Sequence, residues 1–94
     1  MSEIIKSAQA GTLESADILI MISPADPEAG FQIELVTPTM KQYGAMIRQT
    51  IEKVLAANGI KTARIHANDK GALDYTIEAR VQTAIDRAVG TKGV

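Results

Sequence analysis

The sequence predicts an α+β fold: a two-layer sandwich in which a small, mainly antiparallel sheet carries two helices packed on one face. Three observations lead there. Short apolar or alternating segments cluster in the first third of the chain. One long segment, "TPTMKQYGAMIRQTIEKVLAANG", has apolar residues at intervals of three and four and is framed by helix punctuation. A further alternating segment and a second helical stripe then complete the chain.

The first segment, "SAQAGT", is a weak edge strand. From Asp17 to Ile22 the chain is apolar and β-branched, which predicts a strand buried on both sides or pinned at the sheet centre. "SPADPEAG" breaks it with Pro24, Pro27 and Gly30 around Asp26. "FQIELV" then alternates Phe31, Ile33 and Leu35 with Gln32 and Glu34, so one face of that strand is buried. The turn region between these two strands predicts an antiparallel hairpin.

The long segment has Thr37 or Thr39 as its cap, Pro38 near the first turn and Gly59 after the last. Met40, Tyr43, Ile47, Ile51, Val54 and Leu55 form its apolar stripe, and that face packs on the sheet. "KTARIHA" alternates Ala63, Ile65 and Ala67 with Arg64 and His66, and the turn "NDKG" ends it. Beyond it, "LDYTIEARV" alternates as a strand would, while Leu73, Ile77, Val81, Ala84, Ile85 and Ala88 mark a helical stripe. The alternation fails at Thr83 and Ala84 whereas the stripe continues, so a helix over residues 73–89 is preferred. A hairpin turned at "NDKG" with a shorter helix is the open alternative. Residues 1–94 are expected to form one domain, with residues 1–7 and 90–94 loosely held.

The composition excludes more than it assigns. Ten basic and eleven acidic residues leave a net charge of −1, with three aromatic residues and no basic run, so a nucleic-acid partner is not expected. The apolar run "ILIMI" is far shorter than a membrane span, and the polar start "MSEIIKSAQ" lacks the features of a signal peptide, so a cytoplasmic location is expected. There is no cysteine, hence no disulfide, no thiolate metal site and no thiol nucleophile borne by the chain itself. His66 is the one histidine, with no carboxylate cluster beside it in sequence, and a solvated strand residue is the better reading than a metal ligand. No catalytic residue and no metal site are expected.

Ser15, in "AGTLESAD", stands between Glu14 and Asp17 just before the apolar strand. As a nucleophile it lacks a base held by a third group, and a loop hydroxyl bonded to nearby backbone is the plainer reading of the residues alone. Glu14 and Asp17 read as solvated acids.

"AGTLESAD" followed by an apolar strand resembles the N-terminal modification motif of the acyl carrier protein, or gamma chain, of bacterial citrate lyase. "NDKGALDYTIEARVQTAIDRA" is similar to that family's second signature region, and "YGAMIRQTI" matches its helix in register. The likeness runs from about Ala8 to Ala88. It implies that Ser15 carries a phosphoribosyl-dephospho-CoA group through a phosphodiester bond, which would import the thiol that the chain lacks. It further implies that this thiol holds acetyl and citryl thioesters, that the alpha subunit exchanges acetyl for citryl, and that the beta subunit cleaves the citryl form to oxaloacetate and regenerates the acetyl form. A prosthetic-group transferase is the implied third partner. Glu14 and Asp17 match the motif, and recognition of that modifying enzyme is one role for them. Ala16 stands where the family often has glycine or another small residue. The acyl carrier subunits of citramalate lyase and malonate decarboxylase are near alternatives, and a small regulatory or structural module is the alternative outside the carrier class.

Overall fold

The computed structural model describes residues 3–89. Four strands and two helices follow in the order β1 (Ala8–Gly11), β2 (Ile18–Ser23), β3 (Phe31–Val36), α1 (Met40–Ala57), β4 (Ala63–Asp69) and α2 (Asp74–Ala88). The sheet order is β1-β2-β4-β3; β1 pairs antiparallel with β2, β2 antiparallel with β4, and β3 parallel with β4. The expected α+β sandwich is present, with a mixed sheet.

The expected hairpin of "ILIMI" with "FQIELV" is replaced by a different pairing. The weak edge strand β1 is the hairpin partner of β2, and β4 inserts between β2 and β3. Two features allow this. The connection over residues 24–30 is long enough to step across one strand. Because α1 follows β3 and returns the chain to β4, these two strands form a β-α-β crossover, which requires them to run parallel. β2 therefore lies at the sheet centre but is buried on one face only: Ile18, Ile20 and Ile22 are fully covered, while Met21 on the other face is 42% exposed.

The buried face is a lattice of short and branched side chains set by register. Ile20 lies opposite Ala67 and Ile22 opposite Ile65, and on the other side of β4 Leu35 and Ile33 take the same two partners. Against it pack Ile47, Ile51, Val54 and Leu55 of α1 and Ile77, Val81, Ala84, Ile85 and Ala88 of α2. The helices are joined to each other by reciprocal amide hydrogen bonds between Asn58 and Gln82, at 2.9 and 3.0 Å, and by the Lys53–Glu78 ion pair at 3.1 Å. The outer strands are tied as well. Arg48 donates to the carbonyl of Ile33 in β3, and Arg87 to that of Gln9 in β1, which occupies acceptors on strands that have only one sheet neighbour.

The end of α1 matches its sequence punctuation. Gly59 adopts φ 74°, its N–H bonds to Ala56 and the N–H of Ile60 reaches back to Leu55, the pair of bonds that closes a helix through a left-handed residue. At the start, Thr39 occupies the cap position without a side-chain bond to the helix. The ambiguous segment 73–81 is helical, with Asp74 in the first turn where the helix dipole favours an acid. Of the N-terminal segment expected to be loosely held, Ile4 is buried, and the N–H groups of Ile5 and Lys6 both bond to the carbonyl of Ala88. The expectation for residues 90–94 lies outside the described residues.

Both apolar stripes overrun the core at their helix N-termini. Met40 and Tyr43 of α1 and Leu73 before α2 were expected to be buried, yet they are 42%, 46% and 57% exposed. These side chains all stand at the end of the molecule where the β1–β2, β3–α1 and β4–α2 connections meet.

Candidate functional site

Ser15 lies in the six-residue connection of the β1–β2 hairpin, between Gly11 and Ile18. The hairpin requires Gly11. Its φ is +99°, and a Cβ there would sit 1.8 Å from the carbonyl oxygen of Ile18.

Asp17 organises the loop from within. One of its oxygens accepts the Thr12 hydroxyl at 2.7 Å and the other the N–H of Ile18 at 2.7 Å. Arg80 of α2 grips both oxygens, Nε and Nη2 each at 2.9 Å, a bidentate pair. Thr12 in turn accepts the N–H of Glu14, and the N–H of Asp17 closes a turn onto the carbonyl of Glu14. The guanidinium of Arg80, bonded side on, is the main cause that holds the Asp17 carboxyl well below the usual carboxylate range; the Thr12 hydroxyl and the Ile18 N–H add to it, and partial burial opposes it. Asp17 in turn raises the pKa of Arg80.

The loop is bound to the β4–α2 turn through Lys70. Ala16 donates its N–H to the carbonyl of Lys70 at 2.8 Å, and Lys70 returns its own N–H to Asp17 at 2.9 Å. To make this contact Ala16 takes φ 65°, a left-handed conformation unusual for a residue with a Cβ. A glycine would take that conformation without the cost a Cβ carries.

These bonds run through Thr12, Glu14, Ala16, Asp17 and Lys70 and leave Ser15 out. Its side chain is exposed at the tip of a loop that is fixed on both sides. Glu14 is exposed too, whereas Asp17 is turned inward with its carboxylate engaged by Arg80. The two acids framing Ser15 thus have different surroundings.

The neighbouring turn is anchored in the same way. Asp69 is 2% exposed; it accepts the Thr37 hydroxyl at 2.8 Å and the N–H of Ala72 at 2.9 Å, tying the β3–α1 and β4–α2 connections together. His66 lies on the open sheet face midway along β4, with Nδ1 3.2 Å from Glu34. No group of three or more His, Cys, Asp or Glu side chains among the described residues is arranged to hold a metal ion.

The sequence singled out Ser15, Glu14 and Asp17 and gave no sign of Arg80 or of the backbone role of Lys70. Arg80 lies 63 positions from Asp17, so no local spacing announces the pair.

Fold and loop together define a rigid mount that presents one hydroxyl. The chain is similar to acyl carrier proteins. The family model described as the malonate decarboxylase delta subunit (MdcD), an acyl carrier protein, matches residues 5–88. The citrate lyase acyl carrier protein of Lacticaseibacillus casei is 50% identical over 90 residues, covering 96% of this chain and 87% of its own. That of Halothermothrix orenii is 43% identical over 86 residues, covering 92% and 89%. In structure, the chain is similar to one from a Pseudomonas malonate decarboxylase hetero-tetramer solved in complex with malonate, with a TM-score of 0.72 at 15% identity over 90% of this chain and 86% of that one. The chain belongs to the citrate lyase acyl carrier protein family.

Proposed function

We propose that the chain is the acyl carrier subunit of citrate lyase and that Ser15 is the attachment point of a phosphoribosyl-dephospho-CoA group, joined through a phosphodiester. The observation that carries this reading is the Ser15 loop itself. Thr12, Asp17 and the backbone N–H groups of Glu14, Ala16 and Asp17 are engaged in holding its shape, and the Ser15 hydroxyl stands outside that network at the tip. When bound, such a group supplies the thiol that a chain without cysteine lacks, and on it acetyl and citryl units are held as thioesters.

The residues fit such a group. Ser15 is exposed, so a transferase reaches the hydroxyl without unfolding the hairpin. Arg80, Asp17 and Thr12 hold the loop in one conformation, which lowers the ordering cost of docking in a second protein's active site. Glu14, exposed beside Ser15, is the acid available to a basic surface of the modifying enzyme, while Asp17 serves recognition through the loop shape it enforces. The carrier performs no bond making of its own. It presents its load to an alpha subunit that exchanges acetyl for citryl and a beta subunit that releases oxaloacetate, in a cytoplasmic complex. A tether converts each of these encounters into an intramolecular event, with effective concentrations on the order of mM for short flexible linkers.

Relatives with 43% and 50% identity named for citrate lyase favour that complex over malonate decarboxylase, whose structural likeness at 15% identity speaks for the fold. The test is Ser15→Ala, reconstituted with the alpha and beta subunits and the modifying enzymes. The variant should fold as the parent does and yield a complex without lyase activity. Full activity in that complex would remove Ser15 from the reaction.

A further inference from the structure

Beside the Ser15 loop, between the first turns of α1 and α2, lies an open groove of about 560 Å³, a volume in the range of small-molecule sites. Tyr43, Met46 and Ile47 line one side, and Ala72, Leu73 and Tyr75 the other. This is where both helical stripes run past the core: Tyr75 is 70% exposed, and Tyr43, Met46 and Leu73 are exposed as well. The groove is rigidly placed relative to Ser15, because Ala16 bonds to Lys70 at 2.8 Å and the next residue, Gly71, already belongs to the groove wall.

Its polar rim is selective. Two carboxylates, Asp69 and Asp74, border it and no lysine or arginine does. Both oxygens of Asp69 have partners within the chain, whereas Asp74 is exposed. The free carboxylate of Asp74 offers an acceptor to an uncharged ring that bears amino donors. Two tyrosines and apolar side chains offer that ring stacking and contact surface.

We propose that this groove seats the purine ring of the nucleotide-derived arm attached at Ser15, an inference that rests on the function proposed above. The chemistry of the arm sets its direction. A CoA-derived group has its thiol at one end and its nucleoside at the other, so attachment through the phosphoribosyl moiety leaves the thiol free and keeps the base near the protein. Seating the base anchors the root of the arm and leaves the thiol-bearing end to swing. Tether and groove act together, since a ring held near its site at an effective concentration on the order of mM occupies even a weak seat.

The chain supplies its own reporter: its two tyrosines, Tyr43 and Tyr75, both line the groove, and it has no tryptophan. The experiment compares tyrosine emission and backbone amide shifts of the unmodified chain with those of the modified chain, its adduct at Ser15 verified by intact mass and peptide mapping. Modification should quench the emission and shift amides of Tyr43, Met46, Ile47, Leu73 and Tyr75. Tyr75→Leu, which leaves Tyr43 as the remaining fluorophore, should lower the ratio of seated to free arm by roughly 5- to 150-fold and bring the emission of its modified form close to that of its own unmodified form. Equal emission in the two forms, with shifts confined to residues 12–17 and Lys70, would overturn the seat and leave the attachment at Ser15 standing. A chain from the modifying system with no adduct at Ser15 would overturn both.

Discussion

Replacement of Asp17 by Asn tests whether the Ser15 loop is held from within as the geometry requires. The carboxylate accepts from Arg80 Nε and Nη2, from the Thr12 hydroxyl and from the Ile18 N–H, all at 2.7–2.9 Å. An amide of the same shape keeps one acceptor oxygen and turns the other into a donor that faces Arg80 in either orientation, together with Thr12 in one and the Ile18 N–H in the other. Hydrogen bonds to a charged group contribute more than neutral ones, but this pair is partly exposed and screened, so a loss of about 1–3 kcal/mol is expected at neutral pH. The pH dependence has a definite sign. Because Arg80 and the other donors depress the Asp17 pKa in the folded state, the unfolded chain binds the proton first as pH falls. The contribution of Asp17 is complete above about pH 5 and declines as pH drops through the unfolded value near 4 toward the lower folded one. Urea denaturation of both proteins between neutral pH and the acid limb measures this directly. The gap in stability should be widest at neutral pH and shrink below about pH 4. A gap that is absent at neutral pH, or constant into acid, would refute the assignment of Asp17 as the keystone of the loop.

Other substitutions probe the same end of the molecule and the core beneath it. Ala16→Gly removes a left-handed residue with a Cβ and should leave thermal stability equal or raise it by up to about 1 kcal/mol, whereas Ala16→Val, β-branched at φ 65°, should lower it clearly. Gly11→Ala forces a Cβ against the carbonyl oxygen of Ile18 and should cost more than about 2 kcal/mol or prevent folding, as read by circular dichroism and urea denaturation. Ile51→Ala, at a fully buried α1 position, should cost about 2–5 kcal/mol in the same assay. Ser15→Ala, at an exposed position without a hydrogen bond to lose, should stay within about 0.5 kcal/mol of the parent.

The elements themselves were legible because burial imposes a period on sequence. Ile47, Ile51, Val54 and Leu55, and Ile77, Val81, Ala84 and Ile85, recur as a helix buried along one stripe demands, and both stripes are in the core. Strand order was not legible. The alternation of Phe31, Ile33 and Leu35 is satisfied equally by β2 or β4 as neighbour, and the choice is made by the α1 crossover, a constraint that acts across the whole domain. Nor does period tell where a stripe outruns the layer it packs on, which is why Met40, Tyr43 and Leu73 were assigned to the core and are found exposed, Tyr43 and Leu73 on the wall of an open groove. At the site, residue types alone made Ser15 a loop hydroxyl, and only the family motif singled it out. What the motif does not state is why Asp17 is there. The answer lies in Arg80, brought to it by the docking of α2 on β2 and visible only in three dimensions.

The most direct test of the central claim is intact-mass measurement, followed by peptide mapping, of the chain purified from the organism that makes it natively. A single covalent adduct located on Ser15, with a mass that matches a phosphoribosyl-dephospho-CoA group in phosphodiester linkage, is the predicted result. An unmodified chain in a fully active complex, or an adduct on another residue, would contradict it.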